Sequence, residues 1–229
     1  MTAVDDSGVL RPGIRTFKPR RSRITDRQAA ALREHREWLI EPGDQPLDLT
    51  AILGRPVVME IGFGTGTATA RMAADDPTVG VLALDIHTPG VGNLLDLISR
   101  QGLANVRVME ADALTVMNRQ IEPGSLSGIR SYFPDPWPKA RHHKRRLVQQ
   151  PVLDLVRERL EPGGFWHLAT DWDDYVEFIE AAFAADPAWR GGVIARPDWR
   201  PVTRYEGRAL SEGRRITDLV FHTDDRIRA

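Results

Sequence analysis

Several stretches of this chain combine residue types that do chemistry. Glu60-Ile61-Gly62-Phe63-Gly64-Thr65-Gly66-Thr67 sets an acid before three alternating glycines. Such glycines permit a tight turn and let a ligand lie against bare backbone. A dinucleotide fingerprint places its third glycine one residue later, where this chain has Thr67. Glu60 would repel a pyrophosphate but suits a cation. S-adenosylmethionine fits that description, with a sulfonium, an ammonium and no phosphate. Asp85 follows about twenty residues after the loop, where a carboxylate can accept both ribose hydroxyls, as it does in nicotinamide sites too. Asp112, in Glu110-Ala111-Asp112-Ala113, is placed to accept from the exocyclic amine of adenine.

The run Phe133-Pro134-Asp135-Pro136-Trp137-Pro138-Lys139 is the least ordinary. Its prolines fix their own φ and push Phe133, Asp135 and Trp137 toward extended backbone. A stiff loop then presents a carboxylate, Asp135, and a ring, Trp137. A ring can stack on a base and a carboxylate can accept from a base edge; the competing reading packs Trp137 inward. Lys139-Ala140-Arg141-His142-His143-Lys144-Arg145-Arg146 follows with no acid, which points to phosphate contact. Thr170-Asp171-Trp172 and Arg200-Pro201-Val202-Thr203-Arg204-Tyr205-Glu206 form a second polar cluster. Asp171 is equally suited to cap a helix.

The elements that must hold these residues alternate. Strands are expected at 57–61, 79–86, 106–110, 128–133, 164–170, 192–195 and 216–223. Helices are expected at 26–39 behind a Thr25 cap, from Thr67 to a stop at Pro77, and from a Thr88 cap to Gly102. Two more are expected at about 144–160, restarting at Pro151, and at 173–185. Residues 41–50 read as a linker. Apolar strands alternating with helices indicate a doubly wound α/β sheet, with ligands beyond the carboxyl ends of the strands. Four strands end in chemically loaded residues: Glu60, Asp85, Asp112 and Asp135. Residues 1–24 read as a flexible basic arm, 25–50 as an N-terminal helix and linker, and 51–229 as the catalytic domain.

With 229 residues, 41% of them apolar, the chain can bury one sizeable core. No cysteine is present, which removes disulfides, thiolate nucleophiles and cysteine zinc sites. The six histidines lack metal-ligand spacing, so no metal is expected. No apolar run is long enough to span a bilayer, and the N-terminus lacks a signal-like stretch, so a cytoplasmic location is expected. Net charge is −1, so a nucleic acid would be held by local patches. Arg11, Arg15, Lys18, Arg20, Arg21 and Arg23 form one, and 139–146 the other.

These motifs together resemble the bacterial-type tRNA (guanine-N7-)-methyltransferase family. The matching segments run from Val58 to Glu206 and include His87-Thr88-Pro89-Gly90-Val91-Gly92. The Phe-Pro-Asp-Pro-Trp string with its Lys139, Arg141 and His142 is highly specific. The resemblance implies a mostly parallel, seven-stranded, Rossmann-like class I methyltransferase fold. It implies S-adenosylmethionine contacts at Glu60, Asp85, Asp112 and Asp135, joined by the glycines Gly62, Gly64 and Gly66. It implies tRNA contacts at Lys139, Asp171, Thr203, Arg204, Tyr205 and Glu206, with Arg141, Lys144, Arg145 and Arg146 on the phosphate backbone. The implied product is 7-methylguanosine in the variable loop, at tRNA position 46. Asp135 is the expected catalytic residue, positioning the guanine or stabilising its charge. No obligate protein partner is evident. Two features depart from the family: Asp85 stands where Glu is frequent, and Thr203-Arg204-Tyr205-Glu206 replaces Thr-Lys-Phe-Glu. The rivals are a methyltransferase for an exocyclic amine, an inactive binding protein of the same fold, and, more weakly, a nicotinamide oxidoreductase.

Overall fold

A computed structural model of the chain describes residues 16–17, 23–54 and 56–224. Of the basic arm, Arg11, Arg15, Lys18, Arg20 and Arg21 lie outside the described residues. Seven strands form one sheet in the order β3-β2-β1-β4-β5-β7-β6. They are β1 (Val57–Ile61), β2 (Gly80–Asp85), β3 (Val106–Glu110), β4 (Leu126–Tyr132), β5 (Leu160–Thr170), β6 (Trp189–Ile194) and β7 (Thr217–Thr223). The first five pair in parallel, and β7 runs antiparallel between β5 and β6. Strand order reverses between β1 and β4, which opens a crevice at their carboxyl ends.

Eight helices flank the sheet among the described residues: α1 (Asp26–Glu34), α2 (Leu49–Leu53), α3 (Thr67–Asp75), α4 (Thr88–Gln101), α5 (Ala113–Gln120), α6 (Gln150–Arg159), α7 (Asp173–Ala184) and α8 (Arg204–Ser211). Alternation along the buried strands splits the core. Leu82 and Leu84 join Val116, Val156 and Ile179 of α5, α6 and α7 on one face. Val81 and Ala83 join Ala31, Ala70 and Leu94 of α1, α3 and α4 on the other. α1 begins with a Thr25–Gln28 capping box. Beyond it, Ile40 donates its N–H to the Val108 carbonyl at 2.8 Å, so the N-terminal segment is fastened to β3.

Several expectations need correction. Residues 41–50 are not wholly linker, because Asp48 accepts from the Ala51 N–H at 2.9 Å and starts α2. Thr88 does not cap α4; His87 holds that position without a side-chain bond, and the Thr88 hydroxyl donates to Glu110 on β3 instead. The restart expected at Pro151 is where α6 begins, at Gln150, but the stretch before it is a 3-10 helix, Ala140–Arg145, that starts four residues earlier than expected. α5 and α8 were not anticipated. Both start on residues read for their chemistry, Asp112 and Thr203, which serve as N-caps. Among the described residues, no helix is long and apolar enough to cross a membrane.

Candidate functional site

The glycine turn joins β1 to α3. Gly62, Gly64 and Gly66 all take positive φ, at 76°, 64° and 71°, a region open to glycine at little cost. α4 packs directly on the turn: a Cβ on Gly90 would lie 2.0 Å from the Gly64 carbonyl oxygen. Asp85, at the end of β2, holds the turn's shape. One of its oxygens accepts from the Gly64 N–H at 2.7 Å and the other from the His87 N–H at 2.9 Å. Burial pushes the Asp85 carboxyl up, and these N–H donors counter part of that rise.

Glu60 lies at the same mouth and is buried. Its Oε2 has no hydrogen-bond partner among the described residues. Burial pushes its carboxyl up to about 7, with Arg130 pulling the other way. A buried acceptor without a donor is costly unless a ligand completes it. The positive amino-acid end of S-adenosylmethionine is the kind of group this acid fits.

Gly62, Gly64, Asp85, Asp112, Asp135 and Tyr205 line one cleft of about 590 Å³. A second hollow of about 680 Å³ adjoins it, reaches Glu60 and Thr203, and shares Gly62, Phe133 and Tyr205 with the first. The crevice between β1 and β4 thus gathers Glu60, the glycine turn, Asp85, Asp112 and Asp135. Asp112 is partly occupied: it accepts from the Leu114 N–H at 3.4 Å and from the Thr115 hydroxyl at 2.8 Å. Thr16 and Phe17, from the segment expected as a free arm, also line the first cleft.

The proline-spaced loop differs from expectation. Phe133 and Trp137 have φ of 54° and 44°, in the left-handed region, not extended. The Phe133 N–H donates to the Ala169 carbonyl at 2.7 Å, which anchors the loop to β5. Trp137 is buried, with its Nε1–H donating to Thr16 and the Arg145 guanidinium over its ring at 4.9 Å. It therefore packs inward and offers no open face for a base. Arg146 is only 1% exposed. Its guanidinium donates to the Pro136 carbonyl at 3.0 Å, pairs with Asp174 at 2.7 Å and covers the Tyr175 and Phe178 rings. Arg146 clamps the loop from beneath and is turned away from any phosphate. Lys139, Arg141 and Lys144 are exposed, and Arg145 is half-buried against Trp137.

The late cluster divides similarly. Asp171 does not cap α7; it pairs with Arg214. Thr203 and Glu206 form the capping box of α8. Glu206 is buried, and its carboxylate accepts from Arg200 at 2.6 and 3.2 Å. Both oxygens face inward, so in this arrangement the carboxylate serves the helix and Arg200. Arg204 and Tyr205 are exposed and line both hollows. The Tyr205 ring lies 3.5 Å from where a Gly64 Cβ would stand, so α8 covers the glycine turn.

Sequence reasoning missed a buried polar chain behind this cover. Glu60, Arg130 and His167 occupy one register row across β1, β4 and β5. His167 bonds Asp218 at 2.8 Å through Nε2 and the Tyr132 hydroxyl at 3.1 Å through Nδ1. Asp218 accepts twice from Arg200, at 2.7 and 2.8 Å, and Arg200 holds Glu206. Burial pushes the His167 pKa down, which favours the neutral ring, although the bond to Asp218 pulls the other way. Burial pushes Asp218 up, but the bonds from His167 and Arg200 outweigh it and hold the carboxyl below its usual range. A signal was present: His167 stands inside the apolar run Phe165–Ala169 and Asp218 directly before Leu219–Phe221, and polar groups at such positions need partners.

Residues 54–219 match the family model described as "Putative methyltransferase". The tRNA (guanine-N(7)-)-methyltransferase of Streptomyces avermitilis is 50% identical over 216 residues, covering 91% of this chain and 74% of that protein. The enzyme of the same name from Thiobacillus denitrificans is 44% identical over 221 residues, covering 93% and 97%. Among solved structures, the 16S rRNA methyltransferase KamB superposes with a TM-score of 0.55 at 15% identity, covering 93% of this chain and all of that one. That likeness concerns the fold, and the fold is that of the class I S-adenosylmethionine-dependent methyltransferases. Within that class, the chain belongs to the tRNA (guanine-N7-)-methyltransferase family.

Proposed function

We propose that this enzyme transfers the methyl group of S-adenosylmethionine to N7 of a guanine in tRNA, the variable-loop guanine at position 46. The products are 7-methylguanosine and S-adenosylhomocysteine. The observation that carries the reading is the convergence of Glu60, Asp85, Asp112 and Asp135 on the crevice between β1 and β4. Glu60 would receive the cationic amino-acid end. Asp85 and Asp112 retain lone pairs beyond their backbone and hydroxyl bonds, for the ribose and the adenine amine. Bound there, the donor supplies a methyl carbon made electrophilic by its positive sulfur.

Guanine N7 carries a lone pair and no proton, so no base is needed before attack. The residues must align the purine and exclude water, which is catalysis by orientation. Asp135 lies in the donor cleft. Its carboxylate would orient the guanine and stabilise the positive charge that develops on it. Arg204 and Tyr205 would cover the base, with Thr203 and Glu206 fixing the helix that carries them. Asp171 would reach the substrate from the end of β5, beside its pair with Arg214. Lys139, Arg141 and Lys144 would hold phosphates, with Arg145 contributing through its exposed part. The enzyme would act in the cytoplasm without an obligate protein partner.

The test is incubation with unmodified tRNA and methyl-labelled donor, followed by nucleoside mapping. The label should appear in 7-methylguanosine at position 46. Asp135→Asn should lower kcat by about two to three orders of magnitude, in the range seen when a charge-stabilising group is removed. Label on an exocyclic amine would overturn the proposal.

A further inference from the structure

With Trp137 buried, the ring expected to meet RNA is not on the proline loop. We propose that Trp199 provides a stacking platform for an unpaired base of the RNA, one other than the guanine being methylated. The inference rests on the tRNA reading above and extends it to a second contact.

Trp199 is 46% exposed, unusual for so large an apolar ring. One face is occupied: the Arg130 guanidinium lies 5.1 Å from the ring centroid. The His167 ring meets it edge-on at 5.5 Å. Arg130 is itself buried, and its Nε has no hydrogen-bond partner among the described residues. The neighbouring Arg200 is fully buried and held by Asp218 and Glu206, while Arg196 donates to the Arg200 carbonyl at 2.6 Å. The indole is therefore fixed from below and from its own backbone. A ring held this way loses little freedom when a base settles on its outer face.

Its surroundings suit RNA. The same segment continues to Val202 and Tyr205, both exposed and both lining the hollow that reaches Glu60. Arg130 stands two residues before the mouth end of β4, so the guanidinium that Trp199 covers belongs to the part of the strand that leads into the cleft. Along the same segment, Arg196 is 40% exposed in its side chain although paired with Glu206, and Arg204 is exposed, so the chain on either side of Trp199 carries cationic groups complementary to phosphates. Stacking needs no particular base, which suits a contact shared by many tRNAs.

The test compares Trp199→Phe with Trp199→Leu in the full chain. Leucine still covers Arg130 but has no π-face; phenylalanine has one. Trp199→Leu should raise the KM for tRNA about ten-fold, while Trp199→Phe stays within about three-fold of the unsubstituted enzyme. Donor affinity and kcat at saturating tRNA should be unchanged in both, and each should show only a small drop in melting temperature from the packing lost over Arg130 and His167. Equal KM values for the two variants would overturn the proposal, as would a loss of donor affinity or melting temperature parallel to the KM change. The comparison is read on whichever RNA the enzyme methylates, so a wrong target nucleoside defeats the tRNA reading without deciding this one. A self-association constant weakened by Trp199→Leu, with KM unchanged, would reassign the ring to a contact between copies.

Discussion

Glu60 shows how one side chain can trade stability for binding. Its carboxyl is pushed from 4.5 to about 7 by burial. The folded chain therefore holds this proton more tightly than the unfolded chain does. Its contribution is favourable at low pH and is lost as pH rises from the ordinary value through about 7. Glu60→Gln should make the ligand-free protein more stable at pH 8, by roughly 1–3 kcal/mol in thermal or urea melts. The same variant should bind S-adenosylmethionine more than about ten-fold more weakly in calorimetry, since it loses a charge-assisted contact. Donor affinity of the unsubstituted protein should fall as pH drops below about 7, and that dependence should vanish in the variant. A variant that binds the donor normally would remove Glu60 from the donor site.

At the scale of elements, α8 is the least supported part of the site. Glu206 and Ala209 are its buried residues, so its position over the glycine turn depends on the Arg200 bridge to Glu206 and Asp218. Breaking a buried pair leaves an uncompensated charge behind. Arg200→Met should cost about 3–5 kcal/mol in denaturant unfolding. Hydrogen exchange should rise over Arg204–Ser211 before it rises in the strands, because α8 loses its main anchor. Uniform acceleration across the chain would show that the bridge supports the whole sheet and not the cover. The proline-spaced loop is built differently, with two non-glycine residues in the left-handed region held in place by Arg146 and Ala169. Backbone of that kind persists only where its surroundings over-determine it, and such places are frequently functional.

For the whole molecule, charge distribution matters more than charge. The net value is −1, yet Lys139, Arg141 and Lys144 stand exposed beside the proline-spaced loop. tRNA affinity should therefore fall steeply with salt. Arg141→Ala and Lys144→Ala should each reduce the log–log slope by roughly 0.7–0.9, one phosphate contact apiece. Arg146→Ala should leave the slope unchanged and lower the melting temperature instead, since its guanidinium is spent inside. A slope that responds to Arg146 as it does to Arg141 would mean that the loop rearranges when RNA binds.

The sequence by itself determined most of the sheet and the floor of the site. Strand periodicity placed β1 and β3 to the residue, because short apolar runs bounded by glycines and acids admit few alternatives. The glycine spacing and the acids at four strand ends likewise pointed to one crevice, since parallel strands deliver their carboxyl ends to one edge, and the structure gathers those residues there. Tertiary structure alone decided which polar residues face out. Trp137, Arg146 and Glu206 sit in motifs that read as contacts, yet packing takes them inward. Their partners Asp174, Thr16 and Arg200 lie on other elements or carry no local signal. Local sequence fixes the type of group and its place along the backbone. Whether a charge meets solvent, a ligand or a buried counter-charge depends on which distant segment folds over it.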